Sequence, residues 1–114
     1  MGSVDAAAIQ KLQEDIGGEA DVMRDLVDTF LGEAPRLLQV MRDGLGARRT
    51  KEVHRAAHSL KSTAGTFGAG RLSKMCRELE TDSERELPPD AAMRVAAIEA
   101  EWSQVRSELE KLRP

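Results

Sequence analysis

The sequence predicts an all-α protein, an up-and-down four-helix bundle with a short additional N-terminal helix. Helix formers such as Ala, Leu, Glu and Arg abound, while the aromatic residues are Phe30, Phe67 and Trp102, with no tyrosine. Apolar residues recur at intervals of three and four, the helical spacing. Glycine and proline fall between these stretches, at Gly17-Gly18, Gly44 and Gly46, Gly68 and Gly70, and Pro88-Pro89. At 114 residues the chain makes a single domain, 1–114, with its core bundle over about 19–112.

Taken in order, Ile9, Leu12 and Ile16 define a short first helix from about Val4 to Ile16, expected to pack as a lid and to end at Gly17-Gly18. A second stretch, Glu19 to Leu45, carries Val22 or Met23, Leu26, Phe30, Ala34, Leu37, Leu38, Met41 and Leu45. Pro35 lies inside it, removes a backbone hydrogen bond and costs about 3 kcal/mol, so a bend or break is expected near Gly32 to Pro35. Gly44 and Gly46 are expected to form the following turn. The third helix runs from about Thr50 to Thr66, and Phe67-Gly68-Ala69-Gly70 reads as a tight connection. A fourth helix, Arg71 to Arg85, puts Leu72, Met75, Cys76 and Leu79 on one face, with Cys76 as a small core residue. The last helix spans about Asp90, a candidate N-cap, to Leu112. Its Val95, Ile98, Trp102, Val105, Leu109 and Leu112 step three, four, three, four, three, as in a helix packed along a bundle neighbour.

The chain is organised around Lys51 to Gly70. With about 100° between successive residues, Val53, Ala56, Ala57, Leu60, Ala64 and Phe67 share one side, the core face. His54, His58, Lys61, Ser62 and Gly65 fall on the other, which places His58 in solvent beside small neighbours. An exposed neutral imidazole is a nucleophile able to attack a phosphoryl group. Lys61, one turn on, disfavours imidazolium and can hold a transferred oxygen as a point-charge donor.

The run Ala57 to Glu80, AHSLKSTAGTFGAGRLSKMCRELE, resembles the signature of histidine-containing phosphotransfer (HPt) domains, roughly His-x-x-Lys-Gly-x-Ala, then Gly, then a Leu-containing helix. His58, Lys61, Ala64, Gly68 and Leu72 match it, as does the Leu79-Glu80 pair; Ser62 stands where the pattern has glycine. The resemblance implies a phosphorelay carrier, not an enzyme, in which His58 accepts a phosphoryl group from a receiver-domain aspartate and passes it to another receiver, with Lys61 assisting. Implied partners are response-regulator receiver domains and a hybrid sensor histidine kinase. No cofactor is expected on this chain, Mg²⁺ being expected on the partner receiver. Candidate docking residues are His54, Arg55, Ser59, Ser62, Gly65, Gly68, Arg71 and Lys74.

What the chain lacks agrees with a carrier. It has no Walker-type phosphate loop, no kinase signature and no carboxylate cluster beside His58 for Mg²⁺, so a partner must neutralise the moving phosphoryl group. From periodicity alone His58 is a plain surface histidine; the His-x-x-Lys pattern decides for phosphotransfer. His54, the rival acceptor, has Ala57 three residues on and Arg55 beside it, and reads as a rim residue. Zn²⁺ shared by His54 and His58 is disfavoured: HRAAH lacks the metalloprotease glutamate and the chain has only these two histidines, so no metal is expected.

A helical adaptor that uses the same face without phosphate is the alternative reading. Nucleic-acid binding through Arg48, Arg49, Lys51 and Arg55 is the weakest, since the net charge is −3, and the cluster reads as a solvated face or a basic rim for an acidic partner. No apolar run is long enough to span a bilayer, the N-terminus lacks the regions of a signal peptide, and one cysteine permits no internal disulfide. A cytoplasmic monomer without nucleic-acid or membrane partners is expected. Met1-Gly2-Ser3 is compatible with a cloning remnant, which allows for a longer natural chain.

Overall fold

The computed structural model describes residues 2–112. Five helices follow one another, α1 (Ala6–Asp15), α2 (Ala20–Ala47), α3 (Thr50–Thr66), α4 (Gly70–Asp82) and α5 (Ala91–Leu112), and the described residues contain no strand. Packing runs α2 on α3, α3 on α4, α4 on α5 and α5 back on α2, a closed ring joined by short links. The all-α bundle with an extra N-terminal helix is thus the observed fold. Among the described residues no helix is long and apolar enough to cross a membrane.

The apolar stripes meet at the centre of this ring. Phe30 of α2 stacks on Phe67 at 4.9 Å between centroids and tilts against Trp102 of α5 at 5.0 Å, so one aromatic trio links three elements. Val53, Ala56, Ala57, Leu60, Ala64 and Phe67 are all buried, as are Leu72, Cys76 and Leu79 on α4 and Val95, Ile98, Trp102, Val105 and Leu109 on α5. Leu112, read as the last core position, is exposed and lines an open depression with Val4, Ile9 and Glu108. On α2 the stripe takes Met23 and leaves Val22 exposed, and it includes Val27, which the spacing had not singled out.

Three boundaries differ from expectation. α2 runs unbroken through Pro35, whose ring lies on the exposed face while Ala34, Leu37 and Leu38 anchor the helix on both sides of it. Burial on the opposite face offsets the missing hydrogen bond. Gly44 and Gly46 do not form the turn; both belong to α2, and the chain reverses at Arg48, which takes the left-handed conformation (φ 53°). Gly44 is instead a close-approach residue, since a Cβ there would lie 2.6 Å from Val53 Cγ2. α4 ends at Asp82, short of Arg85, and Arg94 ties the following loop by bonding Asp82 at 2.6 Å and Asp90 at 3.0 Å. The Asp90 carboxylate, expected as a cap, is engaged by that arginine.

α1 begins at Ala6, its N-terminus capped by the Asp5 carboxylate, which accepts from the Ala7 N–H at 3.0 Å. It lies over the α3–α4 turn, where the Asp5 N–H donates to the Gly68 carbonyl at 2.9 Å and Ile9 is buried. Ahead of it, the N–H groups of Ser3 and Val4 donate to the Glu108 carboxylate at 2.6 and 3.1 Å, strapping the N-terminal segment to α5.

Candidate functional site

The opposite face of α3 adjoins α4, and one residue of α4 organises the contact between them. The Glu80 carboxylate accepts from His58 Nδ1 at 2.6 Å through one oxygen and from the Lys61 ammonium at 2.7 Å through the other. Its side chain is 15% exposed, the Lys61 side chain 27% and the His58 side chain 58%, so a shielded carboxylate orients an open imidazole. The Lys61 hydrogen bond, with His58 adding to it, draws the Glu80 carboxyl below its ordinary value against the opposing effect of burial.

An ionised carboxylate only accepts, so Nδ1 of His58 carries the proton it donates. In the neutral ring the lone pair is then on Nε2, at the outward end of the imidazole. The ring is held in one tautomer with its nucleophilic nitrogen toward solvent. In the unphosphorylated protein the Lys61 charge is matched by Glu80.

His54 is half-buried, and its Nδ1 donates to the backbone carbonyl of Glu80 at 2.8 Å. It fastens α3 to the end of α4 and is less open to solvent than His58. Ser62 turns its hydroxyl back to the His58 carbonyl at 3.2 Å, so its hydroxymethyl lies folded along the helix. Gly65 is exposed beside Ser73 and lines a depression with Ala8, Lys11, Leu12 and Asp15 of α1, and the Ser73 hydroxyl donates to the Lys61 carbonyl at 2.9 Å. Arg55 and Ser59 are exposed on the side of α3 that adjoins α2, where they share a depression with Leu37, Val40 and Glu52.

The remaining docking candidates lie elsewhere. Gly68 has φ +72°, and a Cβ on it would come 2.6 Å from Ala8 Cβ and 3.0 Å from the Asp5 carbonyl. Its glycine identity is explained by α1. Arg71 is half a turn around α4 from Glu80 and lines a groove with Ser3, Asp5 and Glu101, remote from His58. Lys74 is exposed on the flank of α4 a third of a turn from Glu80. Of the basic cluster, Arg49 pairs with Glu52 at 3.6 Å, and Arg48, Lys51 and Arg55 are exposed. Among the described residues no three His, Cys, Asp or Glu side chains are grouped to hold a metal ion.

Sequence reasoning missed the role of Glu80. In the sequence it stands only as part of a Leu-Glu pair, because its partners lie 19 and 22 positions upstream and meet it only once α3 and α4 pack in this register.

A family model described as the Hpt domain matches residues 25–113. The chain belongs to the Hpt domain family. Among curated proteins, this Hpt domain is 34% identical over 73 residues to the phosphorelay protein LuxU of Vibrio vulnificus, strains YJ016 and CMCP6. That match takes in 64% of this chain and 62% of LuxU, so the chain spans less than two thirds of those relatives. Among solved structures, histidine-containing phosphotransfer protein B from Pseudomonas aeruginosa PAO1 superposes with a TM-score of 0.89 at 27% identity, covering 96% of this chain and 93% of that one. The Hpt domain of a sensor hybrid histidine kinase from Shewanella superposes with a TM-score of 0.76 over 96% and 92% of the two chains; at 14% identity it speaks for the fold alone.

Proposed function

We propose that this Hpt domain is a phosphorelay carrier, with Nε2 of His58 accepting a phosphoryl group from a receiver-domain phosphoaspartate and returning it to the aspartate of another receiver. The observation that carries this reading is the exposed imidazole whose Nδ1–H is held by Glu80 at 2.6 Å, leaving Nε2 with its lone pair outward.

The transfer balances in simple terms. The Nε2 lone pair forms the N–P bond as the bond from phosphorus to the aspartyl oxygen breaks, and the aspartate leaves as carboxylate. The positive charge that develops on the ring is met by the Glu80 carboxylate through the Nδ1–H. The same bond serves the reverse step, since a ring that keeps its Nδ1 proton is the better leaving group. Lys61 holds Glu80 ionised and in place. Mg²⁺ would be supplied by the receiver.

Partners are receiver domains and a hybrid sensor kinase, docking over the α3–α4 face around Ser62 and Gly65, with Arg55 and Ser59 at its edge. The test is transfer from a panel of phosphorylated receiver domains to the wild type and to His58→Gln, which changes only an exposed position. Acid-labile, base-stable label that vanishes in His58→Gln, with an unchanged melting curve, is the expected result. Label that persists in His58→Gln and vanishes in His54→Gln would assign the wrong histidine. Absence of label from every receiver would leave the adaptor reading.

A further inference from the structure

Phosphorylation of His58 brings a near-dianionic group to a site whose charges already cancel, because the Lys61 ammonium and the Glu80 carboxylate are paired at 2.7 Å. A further cation would meet that charge, and the helix register places one on α4 at the level of His58. The Ser73 hydroxyl bonds the Lys61 carbonyl and His54 bonds the Glu80 carbonyl, so the span from Lys61 back to His54 on α3 runs beside the equal span from Ser73 forward to Glu80 on α4. His58 is three residues from Lys61 and four from His54. The level of α4 it faces is therefore that of Cys76 and Arg77.

Cys76 points into the core and is fully buried, while Arg77 is exposed. About 100° per residue sets Arg77 some 60° from Glu80 and 40° from Ser73, on the solvent side of the two residues that face α3. That is the exposed edge of the α4 face that packs on the His58 side of α3. Arg77 has no ion-pair or hydrogen-bond partner among the described residues, unlike Arg24, Arg36, Arg42 and Arg94, each of which is paired with a carboxylate. With α3 and α4 in direct side-chain contact, a long guanidinium side chain at this level of α4 can reach the outward end of the imidazole, and its fork of donors suits phosphoryl oxygens.

We propose that Arg77 is the phosphoryl-holding cation of this site, closing over the oxygens on Nε2 of His58 once the group has been transferred, while Lys61 stays with Glu80. The proposal rests on His58 being the acceptor. It assigns to Arg77 the phosphorylated state and the passage into it, and to Glu80 the orientation of the free ring.

The experiment compares wild type, Arg77→Gln and Arg77→Lys, each labelled from the receiver that serves the wild type best and then freed of it. Arg77→Gln is expected to accept phosphate about fivefold more slowly, with an effect that shrinks at high salt. The ³¹P signal of its phosphohistidine should titrate at higher pH than in the wild type, because a dianion without its cation binds a proton more readily. Arg77→Lys should recover part of both changes, and melting temperatures should agree, since the side chain is exposed. Equal rates and identical ³¹P titrations in all three proteins would overturn the role of Arg77 while leaving His58 as acceptor. No label in the wild type would overturn the carrier reading itself.

Discussion

Gly68→Ala separates a structural glycine from a docking one. An alanine at φ +72° costs about 1–2 kcal/mol in backbone strain. Its Cβ would also sit 2.6 Å from Ala8 Cβ and 3.0 Å from the Asp5 carbonyl, neither of which can swing aside, so α1 must lift from the turn. That weakens the Asp5–Gly68 hydrogen bond, worth about 1 kcal/mol, and exposes part of Ile9, a residue 5% accessible whose full burial is worth about 2 kcal/mol. The total is about 2–4 kcal/mol. With an unfolding entropy of about 2.1 cal/mol/K per residue, 1 kcal/mol moves the melting temperature of a 114-residue chain by about 4 °C, so a fall of about 8–16 °C is expected by far-UV circular dichroism. In an Ala8→Gly background, which removes the colliding methyl, the same substitution should cost less by about 1 kcal/mol. A fall below about 4 °C, or equal costs in the two backgrounds, would refute the reasoning. Below its melting transition, Gly68→Ala should still transfer phosphate; a folded variant that cannot would return Gly68 to the docking face.

Glu80→Ala should slow phosphoryl transfer about tenfold by freeing the ring, and Glu80→Gln less, because an amide oxygen still accepts from Nδ1–H; equal rates in all three proteins would remove Glu80 from the mechanism. The lowered Glu80 carboxyl contributes stability that is present above the ordinary carboxyl range and lost as pH falls through its folded value. The urea midpoint of wild type should therefore exceed that of Glu80→Gln at neutral pH and converge with it in acid. Burial pushes the Cys76 thiol up to about 12, with Glu80 adding to it, so an aromatic disulfide reagent should modify it only on unfolding. Between the ordinary thiol value of 9.0 and about 12 the native state keeps a proton that the unfolded chain gives up. Stability there should fall with rising pH more steeply, by up to about 1.4 kcal/mol per unit, than in Cys76→Ala, and parallel curves would contradict this.

The third helix was legible almost residue for residue, since its apolar and polar faces are cleanly divided and glycine closes it. The same spacing argument placed His58 in solvent. Pro35 and Gly44 misled for a shared reason: each residue type has a local meaning, break or turn, and a tertiary one. Pro35 is tolerated on the wet side of a helix anchored by Leu37 and Leu38, and Gly44 is demanded by Val53 of the next helix. The reversal at Arg48 carries no glycine to announce it. Glu80 presents a different obstacle, because its relation to His58 exists only in the register of α4 against α3. No pattern within either helix contains it.

The aromatic trio at the centre of the bundle has a practical side. With one tryptophan and no tyrosine, nearly all near-ultraviolet emission of this protein arises from Trp102, buried against Phe30 on the wall opposite the His58 face. Its fluorescence should be blue-shifted in the native state and shift red when the bundle opens, yet stay indifferent to what is attached to the histidine. The molecule thus carries an internal optical reference, against which loss of transfer in any site variant can be read as lost chemistry or as lost structure in the same cuvette.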